Sequence, residues 1–165
     1  MVTVVGLGTV RSTAGAAGAP PTVTCGQSGG ILLPSWTSNG YRVVLGVVLV
    51  PPAYMPQVVA THGKFFRPWR FWRKAGLGVR AGSPPVLVSV PRTWRGRAAI
   101  TWGGGTGTVG ALRLAACPSS GGVAWLGYPG GFVLQAPSAC VPLVFRVGQR
   151  SATVLFGIGR RCGGS

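Results

Sequence analysis

Residues 141–158 read VPLVFRVGQRSATVLFGI, and the spacing within this stretch decides the fold class. Val141, Leu143, Phe145 and Val147 occupy every second position. After the polar turn Gly148-Gln149-Arg150 the same spacing resumes at Ala152, Val154, Phe156 and Ile158. Successive side chains of a strand point to opposite faces, so each run gathers its apolar residues on one side. Two such runs joined by a short glycine-containing turn predict a β-hairpin with one buried face.

Weaker copies of the pattern extend outward from it. In PVLVSVP, residues 85–91, Val86, Val88 and Val90 alternate with Leu87 and Ser89. Residues 109–117 place Leu112, Leu114 and Ala116 on a predicted core side, opposite Val109, Ala111, Arg113 and Ala115. Residues 77–80 and 97–102 are further strands, the latter followed by a turn at Gly103-Gly104-Gly105. Residues 124–128 and 132–135 flank Pro129-Gly130-Gly131, which reads as a hairpin turn. Residues 41–50 read as one near-continuous β-branched strand covered on both faces, ended by a corner at Pro51, Pro52 and Pro56. The 29 glycines and 14 prolines, with no Glu and only two Met, suit short strands and tight turns rather than helices. The expectation is an all-β, antiparallel β-sandwich, immunoglobulin-like in general architecture, with about eight short strands.

One domain is expected over residues 25–162, with a tail or degenerate presequence at 1–24 and a short tail at 163–165. The first segment holds a candidate strand at 2–10 and a small-residue linker. It has no basic start of the kind a signal peptide carries, although Ala17-Gly18-Ala19 resembles a cleavage site. The apolar run at 43–50 is too short to span a bilayer as a helix.

Four cysteines, Cys25, Cys117, Cys140 and Cys162, form no C-x-x-C pair, which disfavours a zinc site. Disulfides are expected, and with them an oxidising compartment. The preferred pairing is Cys117 with Cys140 and Cys25 with Cys162. In a chain-entropy treatment these would contribute about 3.5 and about 5 kcal/mol. The competing expectation is four reduced, buried thiols in a cytoplasmic core.

The chain carries sixteen Lys and Arg and no Asp or Glu, a formal charge of +16. No carboxylate acid, base, nucleophile or metal ligand can be built from its side chains. All but Lys64 and Lys74 of the cations are arginines. Their donors must go to carbonyls, aromatic faces, water or external anions. The functional reading is an anion-binding surface. The competing readings are drift in a GC-rich coding sequence and a spurious frame or altered sequence.

Residues 64–74, KFFRPWRFWRK, interleave five cations with five aromatics. Read as a short helix from Pro68 to Gly76, Phe65, Trp69 and Trp72 share one side. Lys64, Arg67, Arg70 and Lys74 share the other. With Arg73, these charged residues and the two tryptophans form a candidate contact for anionic membranes or, in extended form, for nucleic acid. The simpler expectation is that the aromatics cap the sandwich core and the arginines stack on them. The lone His62 has no acid to orient it and carries no catalytic expectation. Gly6-Leu7-Gly8 lacks the rest of a dinucleotide fingerprint, and residues 103–107 lack the Lys of a P-loop, so both read as turns.

The run from Cys117 through Cys140-Val141-Pro142-Leu143 to RVGQRSATVLFGIGRRC at 146–162 is similar to a group of uncharacterised secreted β-proteins from high-GC bacteria. The segments WRFWRKAGLGVRAGSPPV (69–86) and VPRTWRGRAAITWG (90–103) extend the likeness, which covers about residues 41–162. The resemblance implies an extracellular β-sandwich with paired cysteines and brings no activity with it.

The resulting expectation is an exported or cell-envelope structural or binding protein, not an enzyme and without a cofactor. Its affinity for polyanions (a cell-wall polymer, anionic lipid or nucleic acid) would be weak and nonspecific. The alternatives are a cytoplasmic nucleic-acid-binding protein and a membrane-active cationic protein acting through the Trp/Arg segment.

Overall fold

The computed structural model describes residues 18–31, 39–61, 66–119, 122 and 124–163. The first strands are β1 (Thr22–Val23), β2 (Gly30–Ile31), β3 (Arg42–Val44), β4 (Val48–Val50) and β5 (Tyr54–Met55). Next come β6 (Val59–Ala60), β7 (Phe71–Lys74), β8 (Leu77–Arg80), β9 (Val86–Ser89) and β10 (Ala98–Ile100). The last are β11 (Ala111–Leu114), β12 (Trp125–Tyr128), β13 (Gly131–Leu134), β14 (Ala139–Val147) and β15 (Arg150–Ile158). The only helical turns among the described residues are 3-10 turns at Cys25–Gln27 and Arg92–Trp94.

The strands form a six-stranded sheet in the order β1-β11-β9-β14-β15-β5, a five-stranded sheet β2-β12-β8-β4-β3 and a four-stranded sheet β10-β13-β7-β6. The protein is all-β and consistent with a sandwich. Most pairs are antiparallel, but β1 runs parallel to β11 and β5 parallel to β15. Three sheets with this order do not by themselves make the arrangement immunoglobulin-like.

The predicted hairpin is the longest ladder, nine residues in register from Ala139↔Ile158 to Val147↔Arg150. Val141, Leu143, Phe145 and Val147 are buried, as are Val154, Phe156 and Ile158. The alternation predicted for β9 and β11 also holds: Val86, Val88, Leu112 and Leu114 face the core, although Ala116 lies beyond the strand and is exposed. The aromatic part of the core links two sheets. The Trp102 ring meets Phe132 edge-on at 5.3 Å, and Phe132 meets Phe156 of the six-stranded sheet at 5.3 Å.

Several local expectations are corrected. Residues 41–50 are a hairpin, β3 to β4, and not one strand. Leu45 and Gly46 take φ of 53° and 74°, a left-handed pair that reverses the chain. Hydropathy could not reveal this, because a tight turn can be written in apolar residues. β12 and β13 do not pair across Pro129-Gly130-Gly131; they belong to different sheets. β8–β12 and β7–β13 keep one register, Leu77↔Tyr128 and Lys74↔Gly131, across a corner where both strands bend. The Ala75 N–H donates to the Gly130 carbonyl inside that corner, and Trp102 Nε1 donates to the Ala75 carbonyl at 2.7 Å. The two strands thus switch sheets together, a known way to turn a sandwich corner. The segment read as a helix is the turn 66–68 followed by β7. Pairing of β7 with β6 and β13 satisfies its backbone on both sides, which a short isolated helix could not match. The six-stranded sheet also includes residues before Cys25: β1 pairs with β11 and Val23 is fully buried. The candidate strand at 2–10, Gly6-Leu7-Gly8, His62 and Lys64 lie outside the described residues.

Both disulfides form, with partners exchanged relative to the expectation. Cys25 bonds Cys117 and Cys140 bonds Cys162, at Cα separations of 5.7 and 5.2 Å. The parallel pairing of β1 with β11 carries Cys25 to the end of β11, beside Cys117. Cys140 lies opposite Gly157 in the last hairpin. Gly159, at φ 68° and packed against the Pro137 carbonyl, turns the tail back so that Cys162 reaches it. A residue with a Cβ would be strained there and would meet that carbonyl. The closed loops span 92 and 22 residues. In the chain-entropy treatment they correspond to about 4.6 and about 3.4 kcal/mol.

Non-reducing peptide mapping is expected to recover the peptide pairs 25/117 and 140/162; a 117/140 or 25/162 pair would refute the strand placement that brings them together. Phe145→Ala and Phe156→Ala are each expected to lower the unfolding free energy by roughly 3–5 kcal/mol in urea titrations, since each empties a fully buried aromatic site. A loss below about 1 kcal/mol for both would contradict the register.

Candidate anion-binding face

The outer face of the six-stranded sheet follows from the same alternation that builds the core. With Val86, Val88, Phe145 and Val147 turned inward, Leu87, Ser89, Val144 and Arg146 must point outward. Register aligns them in rows. Arg113, Leu87 and Arg146 lie side by side across β11, β9 and β14, and Ala111, Ser89 and Val144 form the next row. Arg113 and Arg146 are therefore two strand spacings apart, about 10 Å between backbones.

One edge of this face is built by the loop after β9. Pro91 starts a 3-10 turn in which the N–H groups of Trp94 and Arg95 donate to the carbonyls of Pro91 and Arg92. Side chains three apart eclipse in a 3-10 turn, so Arg92 and Arg95 leave on the same side. Trp94 packs against the core, and the Arg97 guanidinium lies 4.1 Å from the centre of its ring. The turn is thus anchored from below while its two arginines stay exposed.

These parts enclose a depression of about 850 Å³ with Ser89, Val144 and Ala111 on its sheet side and Arg92, Arg95, Arg146 and Trp69 around it. Two smaller depressions adjoin it through shared residues. Trp69 also lines one of about 370 Å³ with Arg67, Arg70 and Thr61. Arg146 also lines one of about 300 Å³ with Arg113, Leu87 and Pro84. The Thr61 hydroxyl donates to the Trp69 carbonyl at 2.6 Å, and Gln135 Nε2 donates to the Pro68 carbonyl at 3.2 Å, which tie the Trp69 backbone to neighbouring strands.

The candidate residues of the Trp/Arg segment therefore divide. Arg67, Trp69 and Arg70 line these depressions. Trp72, Arg73 and Lys74 do not. Trp72 stacks on Phe66 at 5.6 Å, Arg73 donates through a terminal nitrogen to the Gln57 carbonyl, and Lys74 ends β7 exposed. Phe71 packs against the core, as the capping expectation required, but the arginine stacks form elsewhere. They are Arg80 on Trp125, Arg97 on Trp94 and Arg161 on Tyr54. Arg80 and Trp125 are direct cross-strand neighbours. The sequence reading missed the grouping of Arg92, Arg95, Arg113 and Arg146 with Trp69. Strand alternation alone carried the signal for Arg113 and Arg146, since both fall opposite core-facing residues.

Among the described residues no group of three His, Cys, Asp or Glu gathers to hold a metal, and no helix is long and apolar enough to cross a membrane. Comparison with protein-family models, with curated proteins and with solved structures returned no match.

The charge inventory also sets the pH response. Acid unfolding mostly reflects protonation of carboxylates stabilised in the fold, and this chain has no carboxylate side chain. Between about pH 2 and pH 5 no side chain of this sequence titrates, so the melting temperature at constant ionic strength is expected to stay nearly flat. Alkali acts differently. Burial raises Tyr128 above the ordinary 10.0, and it raises Tyr41 against the opposing effects of a Gly76 backbone hydrogen bond and the Arg73 charge. The unfolded chain loses these phenolic protons first, so their stabilisation is present below pH 10 and falls as pH rises beyond it. Thermal melts from pH 2 to 11 check both limbs, and Tyr128→Phe should make the alkaline decline shallower. A steep loss between pH 5 and 2 would contradict the first expectation.

Proposed function

We propose that this protein is an exported or cell-envelope binding module, not an enzyme, whose partners are polyanions. The observation that carries the reading is the set of exposed arginines around the outer face of the six-stranded sheet, in a chain with no carboxylate side chain to neutralise them. Guanidinium groups form charge-assisted, often bidentate hydrogen bonds to sulfate, phosphate and carboxylate. An external anion also relieves the self-repulsion of a +16 chain. Two disulfides support an oxidising compartment, and the resemblance to secreted β-proteins points the same way.

Binding of this kind releases counterions. The affinity for immobilised heparin, measured in a salt titration, is expected to fall linearly in log–log form as salt rises from about 0.05 to 0.5 M. Affinity that persists at about 1 M salt would contradict an electrostatic partner, and absence of binding at low salt would refute the function.

A further inference from the structure

The three depressions are not independent. Trp69 is common to the first and second, and Arg146 to the first and third. Ordered through these shared residues, the linings run Arg67 and Arg70, then Trp69, then Arg92 and Arg95, then Arg146 and Arg113. All six arginines are exposed. They come from four separate parts of the chain: the 66–70 loop, the 3-10 turn after β9, β11 and β14. The geometry points to a track for one linear polyanion, and specifically for an anionic polysaccharide carrying sulfate or carboxylate groups. This rests on the polyanion reading above and adds to it a location and a ligand class.

Three features favour a glycan over nucleic acid. Single-stranded nucleic acids are held by successive aromatic platforms, one base after another. Here six cations are served by two rings, Trp69 and the partly buried Phe71, so charge dominates over stacking. The flat apolar face of a sugar ring can rest on a single indole while its anionic substituents reach the flanking guanidiniums. Next, the sheet side of the central depression offers small groups, Ser89, Val144 and Ala111, over which a ring can lie close. Its volume of about 850 Å³ falls in the range of small-ligand sites, enough for a few sugar units rather than a single ion. Finally, the two disulfides suit an oxidising compartment, and anionic glycans occur outside the cytoplasm. Pre-organisation supports the same assignment. Trp94 and Arg97 hold the turn that presents Arg92 and Arg95, and the nine-residue ladder of β14 with β15 holds Arg146. Less order must be imposed when the ligand binds.

The test separates a track from a diffuse field. One variant carries R92Q, R95Q and R146Q. A second carries R42Q, K74Q and R160Q, three exposed cations that line none of the depressions. Both lose three charges, so their net charges match. With a heparin hexasaccharide at about 0.15 M salt, the first variant is expected to bind on the order of thirtyfold more weakly than the parent and the second about threefold. Equal losses overturn the track while leaving a field-driven polyanion binder intact. No binding by the parent overturns both readings. A measurement without mutation runs beside it: phenylglyoxal modification mapped by mass spectrometry. Bound hexasaccharide is expected to protect Arg92, Arg95 and Arg146 while Arg42 and Arg160 stay reactive, and uniform protection refutes the track. A thymidine oligonucleotide of equal charge is expected to bind at least tenfold more weakly. Equal or tighter binding of the oligonucleotide overturns the glycan assignment in favour of nucleic acid.

Discussion

Nine consecutive residue pairs join β14 to β15, and the rest of the six-stranded sheet is laid against that ladder. On one side β9 takes its register from residues 144–147, and β11 and then β1 follow. On the other side β5 adds a short parallel pair at Gly157–Ile158. One face of the hairpin buries Phe145 and Phe156. The latter reaches through Phe132 to Trp102, whose indole nitrogen closes the corner where two strands pass between the other sheets. Because side chains in a strand alternate, the register that sends Phe145 and Val147 inward also sends Arg146 outward. Core and candidate binding face are two consequences of one register.

The lack of carboxylates shapes everything on the surface. An arginine in an ordinary protein is commonly paired with Asp or Glu. Here three described arginines lie over Trp125, Trp94 and Tyr54, and another donates to a backbone carbonyl. The rings accept a cation on their faces without adding negative charge. Such contacts position guanidinium groups but leave the formal charge of +16 untouched. An anionic polymer would meet a surface with no negatively charged side chain on it. The fold tolerates this because its stability comes from apolar burial and disulfides, which do not depend on ion pairs.

Some of the architecture was legible in the sequence because it depends on local period. The last hairpin, the inward faces of β9 and β11 and the all-β class all follow from alternation at every second residue. Where the reading failed, the missing fact was a long-range partner or a backbone angle. Leu45 and Gly46 reverse an apolar run that looks like one strand. Gly130 and Gly131 look like a turn and instead lie where strands change sheets. The aromatic and basic residues near Trp69 show helical spacing as well as strand spacing. Strands β6 and β13, distant in sequence, decide between them.

The cysteines and arginines draw the same boundary. From the sequence alone come four cysteines suited to oxidation, sixteen cations, no acid and a β-pattern to place them on. Which cysteines meet required the parallel pairing of β1 with β11 and the return of the tail after Gly159. Which arginines meet required the stacking of β11, β9 and β14 and the turn after β9. Composition and period are properties of neighbouring residues, so they can be read along the chain. Proximity between residue 69 and residues 92, 95 and 146 arises only when sheets pack, because non-local pairing is set by the whole core rather than by any one segment.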